Sequence, residues 1–396
     1  MSTGFGLFYR LLYILGTTVV LTLVWNWLSL LSLEVKVERR RRRVRVGDDV
    51  EERVSIRNRS SLPKPVIEVE DLTDLPGYSS GAAIGLASRG YRSWLTSAPA
   101  RKRGVYTMGP VRVANTDAFG LFRRERFFGD TETLVVYPRI FELPDFALPP
   151  TNPSGGASAR KRAHDLTPHA ASVREYAAGD SISRVHWPST ARMDKLMSKE
   201  FDLGLSSDVW VLLDLERDTQ AGELDESTDE YAVSIAASLA KKYVERQLPF
   251  GLIAYGDRRY FLPSETGSHQ FDEVMEFLAM SRAEGSVPVE TALASEELLW
   301  GQHSTLVIIT ASPRKEWAFA AKELMRRRVK IVAIVLDGRS FGTFFDSLEV
   351  VPELRAEGVP TYVVRKGDNV TVALSQVYSA ADRESSEEPA GLEART

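Results

Sequence analysis

Residues 209–214 read Val-Trp-Val-Leu-Leu-Asp, an unbroken apolar run that ends in a carboxylate. Such a run is typical of a parallel strand, because helices cover both faces of a parallel sheet. Further strands are predicted at 250–255, 305–310, 330–336 and 360–364, and helices at 228–247, 271–280, 290–300 and 315–328. This alternation predicts a doubly wound α/β domain over residues 205–380.

Upstream, residues 34–148 carry short apolar stretches separated by turn residues. Val50, Val54 and Ile56 fall at even spacing and lead into the turn-forming Asn58-Arg59-Ser60. Helical periodicity is absent from the whole stretch, and several short strands at this spacing are typical of an antiparallel β-sandwich of immunoglobulin or fibronectin type. Domains of this type bind or position other molecules more often than they catalyse reactions.

The N-terminal residues 1–33 contain an uncharged stretch between Arg10 and Glu34. As a helix this stretch is about 34 Å long, enough to cross a bilayer. Seven basic residues follow it, namely Lys36 and six arginines between residues 39 and 45, whereas only Arg10 precedes it. Because Lys and Arg resist translocation, we expect a single-pass anchor in the inner (cytoplasmic) membrane with the soluble domains in the cytoplasm.

The arginine run itself allows two readings. Its side chains would attract anionic lipid headgroups, or they would lie on a solvated strand edge. The apolar residues lie at odd positions before the run (Val35 and Val37) and at even positions after it (Val44 and Val46). A regular half-buried strand keeps its parity, so we expect the run to interrupt the strand.

Composition excludes several classes of function. The net charge of −4 argues against nucleic-acid binding, which needs a basic face. The absence of cysteine removes thiol nucleophiles, disulfides and thiolate metal sites, and it favours a reducing compartment. The chain also lacks the G-x-S-x-G, Walker A and H-E-x-x-H patterns of common hydrolases.

Residues 149–204 begin as a linker rich in Pro, Ser and Gly and continue into a block, 173–201, dense in charged and aromatic residues. We expect Asp180 to cap a short helix that Pro188 ends. The block is either a docking surface or a salt-bridge network that stabilises the fold. Its candidate interaction residues are Arg174, Glu175, Tyr176, Gly179, Asp180, Arg184, Trp187, Thr190 and Arg192.

This block resembles a known bacterial family, called domain of unknown function 58. The resemblance lies in REY-x-x-GD, R-x-x-W-x-x-TAR and K-x-x-x-KEF, and upstream in RG-x-Y-x-x-GP and D-x-FGLF-x-R between Arg103 and Arg123. It covers roughly residues 35–365. It implies a membrane protein with a von Willebrand factor A-like α/β domain, often encoded beside MoxR-type AAA+ ATPases and other von Willebrand factor A proteins. Family members usually have two membrane segments, whereas this sequence shows one.

The first strand of the α/β domain ends in acidic residues. Metal-binding von Willebrand factor A domains resemble this arrangement but carry D-x-S-x-S here, and Glu216 and Asp218 replace the serines that follow Asp214. Thr291 is the candidate loop threonine, and no aspartate follows Thr310. Mg²⁺ or Ca²⁺ would accept these oxygens, but we expect weak or absent metal binding and a degenerate interaction module without a cofactor.

These observations favour a membrane-anchored scaffold or adaptor that acts with a MoxR-type AAA+ ATPase and has no catalytic activity. The alternatives are a metal-dependent von Willebrand factor A adhesion module, a hydrolase, and a cell-envelope protein whose sandwich faces outward. Residues 381–396 are polar and acidic and predict a disordered tail.

Overall fold

The computed structural model describes residues 3–117, 119–148, 172–175, 187–193, 195–200, 208–223, 226–301 and 304–378. The chain divides into two compact units. The first comprises residues 1–139 and 275–281, and the second comprises residues 140–274 and 282–396.

The described residues up to 139, which form most of the first unit, contain one helix followed by nine strands. They are α1 (Thr3–Ser29), β1 (Leu33–Arg39), β2 (Arg43–Arg45), β3 (Asp49–Asn58), β4 (Lys64–Thr73), β5 (Ala82–Leu86), β6 (Tyr91–Pro99), β7 (Gly104–Thr116), β8 (Arg123–Phe128) and β9 (Glu132–Tyr137).

Helix α1 exposes apolar side chains along most of its length. Tyr13, Ile14 and Leu21, for example, are each more than half exposed. Residues Gly6–Ser29 are long and apolar enough to cross a membrane, and no second helix of this kind occurs in the described part of the chain. The helix is therefore compatible with a single-pass membrane anchor.

The strands form two sheets that enclose an apolar core. Sheet order is β1-β3-β6 in one and β2-β9-β7-β4-β5 in the other, with β8 also paired to β7. Alternate residues of β3, including Val54 and Ile56, point into the core, as the even spacing predicted. The arginine run separates β1 from β2, which belong to different sheets, so the predicted interruption of the strand is confirmed.

Only the first arginine of the run lies inside the sandwich. The Nη2 atom of Arg39 is 2.9 Å from Asp71 Oδ2 and 3.6 Å from Glu52 Oε1. The hydroxyl of Tyr78 donates a hydrogen bond to Glu52 Oε2 at 2.6 Å. Burial, and then the neighbouring carboxylate of Asp71, raise the pKa of Glu52 to about 7. Arg40–Arg43 are exposed at the end of β1 that is distal to α1.

The described residues after 139 contribute the remaining elements. They are β10 (Ser172–Glu175), α2 (Trp187–Met193), β11 (Met197–Glu200), β12 (Val209–Asp214), β13 (Gly222–Glu223), β14 (Glu226–Ser227), α3 (Thr228–Glu245), β15 (Phe250–Tyr255), β16 (Arg259–Glu265), α4 (Ser268–Met280), α5 (Val289–Ser295), β17 (Thr305–Thr310), α6 (Glu316–Arg326), β18 (Lys330–Leu336), α7 (Gly338–Phe341), α8 (Val351–Ala356), β19 (Thr361–Val364) and α9 (Val370–Ala373).

A six-stranded sheet forms the centre of the second unit. Its order is β16-β15-β12-β17-β18-β19, parallel except for β16. Every residue of β12 is buried, as the unbroken apolar run predicted. Strand β16 was not predicted from the sequence, because this antiparallel edge strand is only half-buried and lacks a continuous apolar run.

Residues 140–148 pack in the second unit, although the sequence pattern placed them at the end of the sandwich. The backbone N–H of Phe141 donates to Ser238 Oγ at 2.8 Å, and the Phe146 ring lies 4.9 Å from that of Tyr362. The ammonium of Lys242 donates to the carbonyls of Leu143 and Phe146. Burial of Lys242 lowers its pKa to about 8. Because a segment with little periodicity takes its place from such tertiary contacts, its sequence did not reveal where it packs.

Candidate functional site

The candidate site lies where the chain reverses its order across the parallel sheet. From β12 the chain first adds β15 on one side, and later adds β17 on the other. Ligands of open α/β sheets bind at such switch points, outside the carboxyl ends of the strands. Gly285 approaches this edge closely, since a Cβ atom there would lie 2.4 Å from the carbonyl oxygen of Tyr255.

Asp214 is the last residue of β12, and its carboxylate is held on both oxygens. The Glu216 N–H donates to Oδ1 at 3.0 Å, and the Thr310 hydroxyl donates to Oδ2 at 2.6 Å. The side chain is buried, and this burial raises the pKa of Asp214 to about 6 despite the two hydrogen bonds, which favour the charged form.

Glu216 forms a bidentate ion pair with Arg314. The two guanidinium nitrogens donate to its two carboxylate oxygens at 2.6 and 2.5 Å. Glu216 is buried, whereas about a third of the Arg314 side chain is exposed. The same guanidinium lies 3.6 Å from Glu290 Oε1. The carboxylate of Glu216 raises the pKa of Arg314, which keeps the guanidinium charged.

The turn after β17 positions the arginine. The N–H of Ser312 donates to Thr310 Oγ1 at 2.8 Å, and the N–H of Arg314 reaches Ser312 Oγ at 3.4 Å. Thr310 thus connects the turn to Asp214 while the turn carries Arg314 to Glu216. The sequence was searched for an acid after β17, whereas the residue that completes the site there is the base Arg314. The available signal was an arginine close behind that strand, facing two acids at the neighbouring strand end.

Of the four predicted metal ligands, Asp214 and Glu216 are joined by the hydrogen bond from the Glu216 N–H to the Asp214 carboxylate. Asp218 and Thr291 are both exposed. Within the described residues no group of three or more His, Asp or Glu side chains is arranged to hold a metal ion.

The residues at this strand end do not fit a divalent cation. Both oxygens of Glu216 are occupied by Arg314, and both oxygens of Asp214 accept hydrogen bonds from the protein. A guanidinium therefore provides the positive charge that a metal ion would otherwise supply.

The block of charged and aromatic residues at 173–201, called here the signature block, is described only in part. Strands β10 and β11 pair antiparallel and bring Arg174 opposite Ser198 and Glu175 opposite Met197. Thr190 Oγ1 accepts a hydrogen bond from the Met197 N–H at 3.0 Å, and Arg192 is exposed. Four further candidate residues lie outside the described residues, namely Tyr176, Gly179, Asp180 and Arg184.

Helix α2 spans Trp187–Met193 and contains Pro188. The predicted short helix that Pro188 would end falls on residues outside the described ones. The role of Asp180 as a helix cap falls outside the described residues.

We expect Arg314 to prevent metal binding at this site. In calorimetric titrations of the full-length protein with Mg²⁺, Mn²⁺ and Ca²⁺, we expect no dissociation constant below about 100 μM, which corresponds to roughly 5.5 kcal/mol. Arg314→Ala frees Glu216 beside Asp214 and Glu290, so this variant should bind these ions more tightly than the wild type does.

Arg326→Ala is the matched control for this titration, because it removes an exposed arginine paired only with Glu323. If the wild type bound one of these ions with a dissociation constant below about 100 μM, and Asp214→Ala lost that binding, the site would be a metal site. That result would contradict the interpretation that Arg314 supplies the positive charge in place of a metal ion.

The buried carboxyl of Asp214 makes stability depend on pH. The folded state keeps its proton up to about pH 6, whereas the unfolded chain releases it near pH 4. Folding is therefore favoured at low pH, and this contribution is lost as the pH rises from about 4 through 6. Asp214→Asn removes this titration. The unfolding free energy of the variant relative to wild type should thus rise by about 3 kcal/mol between pH 4 and 7.

Urea unfolding followed by the fluorescence of the buried Trp210 and Trp317 measures this difference. Asp218→Asn, at the same strand end but exposed, controls for the loss of one carboxylate. A constant difference between Asp214→Asn and wild type across this pH range would refute a proton held by Asp214.

Comparison with known proteins gives the following matches. Residues 172–340 match the family described as "Protein of unknown function DUF58". The chain is 28% identical over 197 residues to "Uncharacterized protein YeaD" of Bacillus subtilis (strain 168), covering 50% of this chain and 47% of that protein. The chain thus matches about half the length of this curated relative.

Two solved structures share low similarity with the chain. The CARDB domain of the PF1109 protein from Pyrococcus furiosus has 15% identity and a TM-score of 0.20, over 26% of this chain and 91% of that one. Proximal thread matrix protein 1 from the mussel byssus has 14% identity and a TM-score of 0.31, and the match covers 43% of this chain and 46% of that one. Similarity at this level carries no argument about function.

The family match spans β10, the signature block and most of the α/β sheet, including Asp214, Glu216 and Arg314. Together with the alignment to YeaD, it supports the assignment of residues 172–340 to the DUF58 family.

Proposed function

We propose that this protein is a membrane-anchored, non-enzymatic scaffold that acts with a MoxR-type AAA+ ATPase, and with other von Willebrand factor A proteins, in the assembly or maturation of protein complexes. The observation that carries the proposal is the ion pair between Glu216 and Arg314 at the switch point of the sheet. If the unit is von Willebrand factor A-like, Arg314 occupies the place of the cation that would engage a partner's acidic group.

The α/β unit is proposed to be a von Willebrand factor A-like module. Its first strand, β12, is central in the sheet and ends in Asp214, and a hydroxyl from the end of β17 donates to that aspartate. An Arg314 that is bound to Glu216 stays in place at any metal concentration. The edge therefore presents a preformed surface, which suits a constitutive protein contact better than one gated by an ion.

The anchor role is supported by the way α1 joins the sandwich. Leu30 and Leu33, directly after the helix, are buried in the sandwich core. The buried ammonium of Lys64 donates to the Leu28 carbonyl at 2.9 Å, one of the last carbonyls of the helix, which have no partner within it. Burial lowers the pKa of Lys64. The sandwich is thus tied directly to the end of the apolar helix.

The soluble part of the chain is expected to lie in the cytoplasm. Seven basic residues follow the apolar segment and one precedes it, and this excess resists translocation. Reporters fused after Thr396 test this orientation. A reporter that fluoresces only in the cytoplasm should be active, and an enzyme active only outside the cytoplasm should be silent. The reverse pattern would contradict the orientation.

Association with the ATPase is expected to depend on the signature block. Charge reversal at Arg184 and Arg192 should lower co-purification of the ATPase from solubilised membranes several-fold, because interfacial arginines are common anchors of binding energy. Thermal stability should stay near that of the wild type.

The matched control is Arg326→Glu, an exposed arginine outside the block. Stability lost in parallel with binding would favour the salt-bridge network over the docking surface. Unchanged co-purification at normal stability would count against the proposed partner surface.

A further inference from the structure

The tip of the β7–β8 hairpin exposes two large apolar side chains. Phe119 and Leu121 are 63% and 60% exposed. They belong to the D-x-FGLF-x-R motif, to which the scaffold function assigns no role. Adjacent exposed apolar side chains at a loop tip often mark a contact with a partner or a membrane.

Hydrogen bonds hold the described residues of the tip. The buried Asp117 carboxylate accepts the N–H groups of Phe119 at 3.1 Å and Phe122 at 2.5 Å. The N–H of Gly120 donates to the Asp117 carbonyl at 3.0 Å, and the φ of Gly120 is +71°, a left-handed conformation that favours glycine. These bonds prevent the two apolar side chains from folding back onto the sandwich.

The same tip is joined to the end of the apolar helix. The side-chain amide of Asn26 donates to the Phe122 carbonyl at 2.7 Å, and Asn115 donates to Asn26 Oδ1 at 2.8 Å. Asn26 and Asn115 are both buried. The hairpin tip therefore lies beside the last turns of α1.

That level of the helix carries the groups expected at a membrane interface. Trp25 and Trp27 are exposed there, and tryptophan is enriched where hydrocarbon meets headgroups. The Arg124 guanidinium lies 5.6 Å from the centre of the Trp27 ring and 3.4 Å from its carbonyl oxygen. An apolar tip, an aromatic belt and a basic side chain thus coincide.

We propose that Phe119 and Leu121 insert into the bilayer interface beside α1, with Arg124 facing anionic headgroups, so that the sandwich contacts the membrane at a second point. This inference rests on the proposed membrane anchoring. The arginine run is the weaker candidate, since β1 separates it from the helix end by about 20 Å. In addition, Arg40 pairs with Glu51 and Arg42 with Glu132.

Insertion is tested by site-directed spin labelling, which is direct because the chain contains no cysteine. Phe119→Cys and Leu121→Cys are labelled separately, so each leaves the other side chain native. The full-length protein is placed, one chain per disc, in nanodiscs of phosphatidylcholine and phosphatidylglycerol at about 3:1, a composition that supplies anionic lipid. Accessibility to oxygen and to a water-soluble nickel chelate is then measured.

Two reference positions calibrate the result. Leu21→Cys lies on the exposed surface of α1, and Asp130→Cys lies in the exposed turn at the other end of β8. At Phe119 and Leu121 the ratio of oxygen to nickel accessibility should be at least about fivefold above that at Asp130, as expected for side chains within the interface. Leu121→Asp should lower the ratio at Phe119, whereas Val105→Asp, exposed at the opposite end of β7, should not.

Each other outcome overturns a different statement. If both tip labels give the accessibility ratio of Asp130 while the label at Leu21 faces lipid, the proposed insertion is wrong, but α1 is still a membrane anchor. If Leu21 is also aqueous, the proposed anchor fails. Tip labels protected from both reagents would show that protein, a second copy or a partner, covers the tip, and lipid would be the wrong occupant.

Discussion

The bidentate ion pair between Glu216 and Arg314 is the interaction on which the polar edge of the α/β sheet depends. Three carboxylates, those of Asp214, Glu216 and Glu290, converge on this edge, two of them buried. Charges of one sign in a poorly solvated place repel unless a cation lies between them. A guanidinium matches a carboxylate geometrically and keeps its charge at any physiological pH. Because it is part of the chain, this cation is always present.

The ion pair also ties together segments that are distant in sequence. Thr310 bonds to Asp214 while its own turn presents Arg314, and Gly285 packs against the residue after Asp214 through the hydrogen bond from its N–H to the Leu215 carbonyl. The turns after β12 and β17 are thereby linked at the switch point. A surface assembled in this way needs no reorganisation before it meets a partner, which lowers the entropic cost of binding.

Polar side chains perform a comparable task in the first unit. The end of a helix leaves carbonyl groups without partners inside the helix. Lys64 and Arg124 donate to carbonyls in the last turns of α1, and Asn26 and Asn115 join that end to the β7–β8 hairpin. The sandwich and the helix end are thus connected by directional hydrogen bonds.

Local sequence patterns determined where the buried strands β12, β15, β17 and β18 lie, that several short strands precede them, and that the N-terminal segment is an apolar helix. A strand or helix that is buried on both faces, on one face or on none has a different pattern of apolar residues in its sequence. Strands β12, β15, β17 and β18 agree with their predicted bounds. Only the tertiary structure decided that Arg314 pairs with Glu216 across 98 residues, that Lys64 caps α1 across 36, and that residues 140–148 pack in the second unit. These three contacts depend on which distant side chains meet in the folded chain. The sequence does not show whether a charged residue is solvated or buried against a partner.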